Sequence, residues 1–236
     1  MKKFLTVFLF LNTVSVAVFA CPFCNGEISQ GIHNSTFYPN LLTMLSAFIV
    51  LAIIVAILTV ASNKRHAKRI NNNGATSALS PVPLTTASIV LGIGLGGFID
   101  GIFLHQVLQW HEMLSNKIPP STYVAKSINM FWDGVFHAFC FIVVLIGVVL
   151  LWKLIKRKDI DTSGRLFGGG LLSGWSLFNI VEGIIDHHIL KLHNVLEYTA
   201  DHDVANFSFL GGSVVMLIVS YFIVKKKSVN NNFNQL

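Results

Sequence analysis

Apolar residues in this chain gather into blocks of about twenty, and that block length constrains the fold more than any other feature. At 1.5 Å of rise per helical residue, such a block crosses a hydrocarbon layer about 30 Å thick. After an N-terminal block, five more can be drawn, at about 40–62, 84–111, 128–152, 168–190 and 205–224. Of the 236 residues, 53% are hydrophobic and 12% are charged. A soluble domain carries about 25% charged residues. This balance excludes a soluble enzyme, a disordered chain and a disulfide scaffold. No P-loop, dinucleotide fingerprint or nucleic-acid motif is present. The expected fold is an all-α, polytopic membrane helix bundle, with the lipid bilayer as its first partner and no nucleic acid.

Residues 1–20 have the pattern of a cleaved signal, with Lys2 and Lys3, an apolar stretch and Val18-Phe19-Ala20 at the end. Residues 21–39 then form an exported segment opening on Cys21-Pro22-Phe23-Cys24. That CxxC leaves a redox pair, a structural disulfide, a metal clip or an acylated Cys21 open. Twelve of the fifteen Lys and Arg beyond the signal lie in three segments, around Lys64–Arg69, Lys153–Arg165 and Lys225–Lys227. The positive-inside rule puts these in the cytoplasm, the mature N-terminus outside and the C-terminus inside. The implied organisation is an N-terminal transmembrane helix at 40–62, a cytoplasmic linker at 63–83, a four-helix core at 84–224 and a tail at 225–236.

Within the core, two spans carry one pattern. Asp100-Gly101-Ile102, His105, Leu108 and His111 superpose on Glu182-Gly183-Ile184, His187, Leu190 and His193 when one is slid by 82 positions, and Gly92 meets Gly174. An internal duplication of a two-helix hairpin accounts for this, with the copies related by an axis along the membrane normal. The third span adds Asp133 and His137, four apart and on one helix face. Asp186 stands four after Glu182, with His188 beyond it. Counted from the outer ends of the spans, these acids and imidazoles share one outward layer.

An acid near the middle of a span costs about 2.5–3.5 kcal/mol on insertion scales unless it is paired or bound to metal. Carboxylate and imidazole donors together suit Fe or Zn, and imidazole also suits Cu. The candidate ligands are His105, Asp133, His137, Glu182, Asp186 and His187, followed by Asp100 and His188. A polar proton network and a purely structural role are the competing readings. One geometric objection stands. Residues five apart point about 140° apart on a straight α-helix, so Asp100 and His105 do not face one ion unless the helix deforms. His111, about 16 Å along the axis from Asp100, is expected at the rim with His193. The glycines at 92–97 and 168–170 are expected in close helix packing, Trp110, Trp132 and Trp152 at the interfaces, and Cys140 in the core.

The runs Gly94–Ile102, His105-Gln106, Trp110-His111, Phe131–His137 and Glu182–His188 resemble a family of bacterial predicted membrane proteins, the domain of unknown function 2243. The resemblance covers about 85–210. It implies a bacterial cytoplasmic (inner) membrane and supports the core boundary, but carries no reaction. Relatives that look fused to cytochrome oxidase assembly domains imply respiratory-oxidase assembly partners. The first functional reading is a metal-dependent membrane enzyme working near the outer face. The second is a metal-handling or assembly factor using Cys21 and Cys24. A proton-coupled transporter ranks last, because the polar residues lie in the outer half only.

Overall fold

The computed structural model describes residues 25–73 and 79–225, which are helical with no strand. The signal and the Cys21–Cys24 motif lie outside the described residues. A short helix α1 (Gly26–Ile32) is capped by Asn25, whose side chain accepts from Glu27 N at 3.0 Å and Ile28 N at 3.4 Å. It lays Ile28 and Ile32 against the bundle.

Helix α2 (Phe37–Asn73) has 37 residues and runs about 55 Å. It therefore continues through Lys64–Arg69, where the sequence suggested a linker from residue 63. Met44, Ala47, Leu51 and Val55 recur every three or four positions and are buried. Ile49, Ile53, Ile57 and Val60 cover the opposite, exposed face.

The remaining helices form the core. Helix α3 (Val82–Ile99) passes into a π-helical segment, Asp100–Val107. Helix α4 spans Tyr123–Trp152. Helix α5 (Gly164–Glu182) passes into a second π-helical segment, Gly183–Ile189. Helix α6 spans His202–Lys225. Among the described residues, four helical stretches are long and apolar enough to cross a membrane: Phe37–Asn72, Val82–Val107, Tyr123–Trp152 and His202–Lys225. The fifth expected span, α5, falls short of that mark for a packing reason. It carries Gly169, Gly170, Ser173, Ser176, Asn179 and Glu182 toward its neighbours, and all six are buried.

Helices α3 and α5 cross backbone to backbone. A Cβ on Gly92 would stand 2.2 Å from the Leu171 carbonyl oxygen, and one on Gly174 would stand 2.1 Å from that of Ile89. The entries to both helices are joined at one end by a β-bridge between Ser80 and Ile160. Arg165 adds a bond to the Val224 carbonyl, 2.6 Å. Helix α6 buries Asn206, Ser213 and Ser220, seven apart, and exposes Phe207, Val214, Val215 and Ile218. Buried polar residues with an apolar exterior are the arrangement lipid requires. Trp110 and Trp152 are exposed, but Trp132 is fully buried beside Phe37 and Phe131, so it is a core residue and not an interfacial one.

Candidate metal centre

The deformation that the straight-helix objection demanded is present twice. Leu108 N donates to Phe103 O at 2.7 Å, and Leu190 N donates to Ile185 O at 2.7 Å, both spanning five residues. The wider π turn rotates residue i+5 back over residue i, as π segments at functional sites commonly do. His105 Nε2 thus lies 3.1 Å from Asp100 Oδ2, and His187 Nε2 lies 2.8 Å from Glu182 Oε1.

Each π segment ends in the same reversal. Gln109 and Lys191 adopt positive φ, 51° and 48°, a region that non-glycine residues seldom enter. Trp110 N then donates to Leu104 O and Leu192 N to Asp186 O, at 2.8 and 2.7 Å. The following loops fold inward, burying Met113, Leu114, Leu192 and Val195. This carries His111 and His193 off the rim and into the bundle, where they are 3% and 0% exposed. The π turns, the positive-φ reversals and the buried histidines recur 82 positions later.

Four imidazoles meet there. The ring centroids of His111 and His193 lie 4.5 Å apart and the planes differ by 3°. His105 lies 4.4 Å from His111, and His187 lies 4.8 Å from His193, both edge-on at 71°. The cross distances are similar, 5.6 Å for His105–His193 and 6.1 Å for His111–His187.

The tautomers follow from the partners. His111 Nδ1 donates to the Val195 carbonyl at 2.8 Å, and His193 Nδ1 donates to the Met113 carbonyl at 3.1 Å. A carbonyl only accepts, so Nδ1 carries the hydrogen and Nε2 of the neutral ring holds a lone pair. His105 Nδ1 likewise donates to Asp133 Oδ1 at 2.9 Å. Holding one ring nitrogen so that the other faces a metal is the usual support of a histidine ligand. His105 Nε2, His111 Nε2, His187 Nε2 and Glu182 Oε2 are buried and make no hydrogen bond among the described residues.

Among the described residues, two groups of donors are compact enough to share an ion, His105 with His111 and His193, and Glu182 with His187 and His193. Glu182 Oε1 stands 2.8 Å from His187 Nε2 and 3.0 Å from His193 Nε2. Asp100 turns Oδ2 to His105 at 3.1 Å and Oδ1 to His111 at 3.8 Å. Donor atoms around a tetrahedral ion with bonds near 2.1 Å lie about 3.4 Å apart, and the separations here, from 2.8 to 3.8 Å, bracket that value.

Helices α4 and α6 hold the loops in place. Asp133 accepts from Met113 N at 2.9 Å and Gln106 Nε2 at 3.2 Å besides His105. Asn129 accepts from Leu114 N at 2.9 Å, and Asn206 accepts from Val195 N at 2.9 Å. Asp186 is 1% exposed, and its Oδ1 makes no hydrogen bond among the described residues. On the loop after the first π-helical segment, burial and then the neighbouring Asp133 charge push the Glu112 carboxyl up to about 6, against the pull of Lys126.

Six of the eight residues singled out in the sequence therefore gather here: Asp100, His105, Asp133, Glu182, Asp186 and His187. The other two stand apart. His137 is half-buried, stacked on Phe98, with Nε2 against Gly101. His188 turns back to the Gly183 carbonyl at 2.8 Å and packs on Phe207. His111 and His193 replace them. Both were matched positions of the repeat, but a straight-helix reading carried them out of reach.

A family model described as predicted membrane protein (DUF2243) matches residues 87–227, which contain all of these side chains. No curated protein and no solved structure matches the chain.

Proposed function

We propose that this chain, which belongs to the DUF2243 family of predicted membrane proteins, is an integral membrane metalloprotein whose buried centre uses His105, His111, His187 and His193 with Asp100 and Glu182. The observation that carries the reading is the pair of buried Nε2 atoms, on His105 and His111, that make no hydrogen bond among the described residues while their Nδ1 atoms are tied to Asp133 and to the Val195 carbonyl. A proton network would pair those two nitrogens as well with acids in good hydrogen-bond geometry, as His193 Nε2 is paired with Glu182 Oε1 at 3.0 Å.

Two imidazoles and a carboxylate are the donor set of non-haem Fe(II) sites with open positions, and of hydrolytic zinc sites. The activity that fits is therefore metal-dependent oxidation or hydrolysis in the membrane. The nearly complete burial of the donors favours an ion that is retained for chemistry over one that is passed on. Metal delivery to a respiratory centre is the second reading, and it rests on the exported Cys21 and Cys24. The duplicated hairpin, the N-terminus outside and the C-terminus in the cytoplasm of a bacterial inner membrane belong to the same proposal. They are supported by the 82-residue recurrence and by the Lys/Arg distribution.

Elemental analysis and absorption spectra of detergent-purified protein, beside a His111→Ala/His193→Ala variant, test it. Fe, Zn or Cu bound by the wild type and lost from the variant is the expected result. A wild type that takes up no metal after loading overturns the reading and promotes the proton-coupled transporter. A Cys21→Ser/Cys24→Ser variant that keeps its metal and activity supports the enzyme, and one that retains metal but no longer loads a partner supports delivery.

A further inference from the structure

We infer that the centre holds two metal ions, one from each half of the bundle, and that the two sites release metal at different rates. The inference rests on the metal-centre reading and adds its nuclearity and its asymmetry. His193 belongs to both compact donor groups. Its Nε2 serves one ion, because its Nδ1 is committed to the Met113 carbonyl. If it joins His105 and His111, the other ion keeps only Glu182 and His187 from the compact groups. If it joins Glu182 and His187, then Asp100, His105 and His111 remain together. Only this second division supplies each ion with one carboxylate and two imidazoles. It is also the division in which the acid of each half touches the histidines of its own half, at 3.1 and 3.8 Å for Asp100 and at 2.8 and 3.0 Å for Glu182.

Charge points the same way. Asp100, Asp133, Glu182 and Asp186 are all buried, and the ion-pair partners of Asp100, Asp133 and Glu182 among the described residues are imidazoles. Each half thus buries carboxylate beside imidazole, and a cation in each half would compensate its own acid.

The asymmetry comes from the residues behind the rings. His105 Nδ1 is held by Asp133 at 2.9 Å, and the ring stacks on Phe136 at 5.8 Å. His187 Nδ1 has no hydrogen-bond partner among the described residues, and its ring leans on Phe209 at 5.9 Å. A carboxylate behind a histidine fixes the ring and raises its basicity, and its loss typically weakens metal binding about 10–100-fold. The site at His105 therefore retains its ion, and the site at His187 exchanges.

The test uses the full chain in detergent, loaded with Mn(II). Two Mn per chain with an exchange-coupled paramagnetic resonance spectrum is expected. One Mn per chain with an isolated six-line spectrum overturns the two-ion centre while leaving the metal reading intact. No uptake of Mn, Fe, Zn or Co overturns both. In a timed chelator challenge, one equivalent leaves about tenfold or more faster than the other. Equal rates overturn the asymmetry. Asp133→Asn brings the slow equivalent to the rate of the fast one, and His187→Gln leaves one slow equivalent. The wild-type measurements decide the question even if either variant fails to fold.

Discussion

Asp133 shows how far one side chain reaches in this bundle. It accepts from His105 of the first π-helical segment, from the backbone of the inward loop and from Gln106, and so orders a ring and a loop together. Residues that resemble it in type but lack such contacts have different consequences. His137→Ala and His188→Ala are each expected to leave metal content unchanged by elemental analysis, because both rings turn away from the donors. Glu112 offers a pH signature outside the membrane. Its folded carboxyl titrates at about 6, above the ordinary value of 4.5, so the fold favours the protonated form. That contribution is present below 4.5 and is lost as pH rises through 6. In chelator-treated protein, the melting temperature of the wild type relative to Glu112→Gln should fall over that interval and level off above it.

At the level of elements, the crossing of α3 and α5 sets how closely the two halves approach. Gly92→Ala and Gly174→Ala would drive a methyl into a backbone carbonyl. Such overpacking costs about 1–3 kcal/mol or more, read as a lower melting temperature in detergent. Gly101→Ala meets the His137 ring and the edge of Phe136, side chains and not backbone, and should be milder. The helices themselves were legible, because apolar blocks separated by basic clusters leave few alternatives. Helix α5 was legible as a block although it is the least lipid-like, since its glycines and serines face neighbours. Asp100, His105, Glu182 and His187 were legible from the repeat. What periodicity hid was the π turn. A 3.6-residue period separates Asp100 from His105, and nothing in the run Asp100–Val107 announces an i→i+5 ladder. His111 and His193 were hidden with it, because the reversals at Gln109 and Lys191 rely on positive φ without a glycine to mark them.

Over the whole molecule, the donors all come from α3 to α6 and their loops, while α2 contributes aromatic and aliphatic packing such as Phe48 on Phe136 and Phe178. In lipid, baring that surface costs little, because acyl chains are as apolar as the helix they replace. A chain beginning at residue 79 should therefore still bind metal, with a modestly lower melting temperature, when reconstituted in bilayers. Gel filtration with elemental analysis would check this.

The 82-residue spacing between paired donors also has a temporal meaning. At a synthesis rate of about 5–20 residues per second, Asp100 and His105 leave the ribosome several seconds before Glu182 and His187 exist. During that interval the first hairpin carries Asp100 and Asp133 into the bilayer with the His105 imidazole between them. The nascent chain must shelter that half-site until the second hairpin arrives. On the two-ion reading, an ion that arrives in that interval finds the first site alone, and the second site exists only once the last helices are in place.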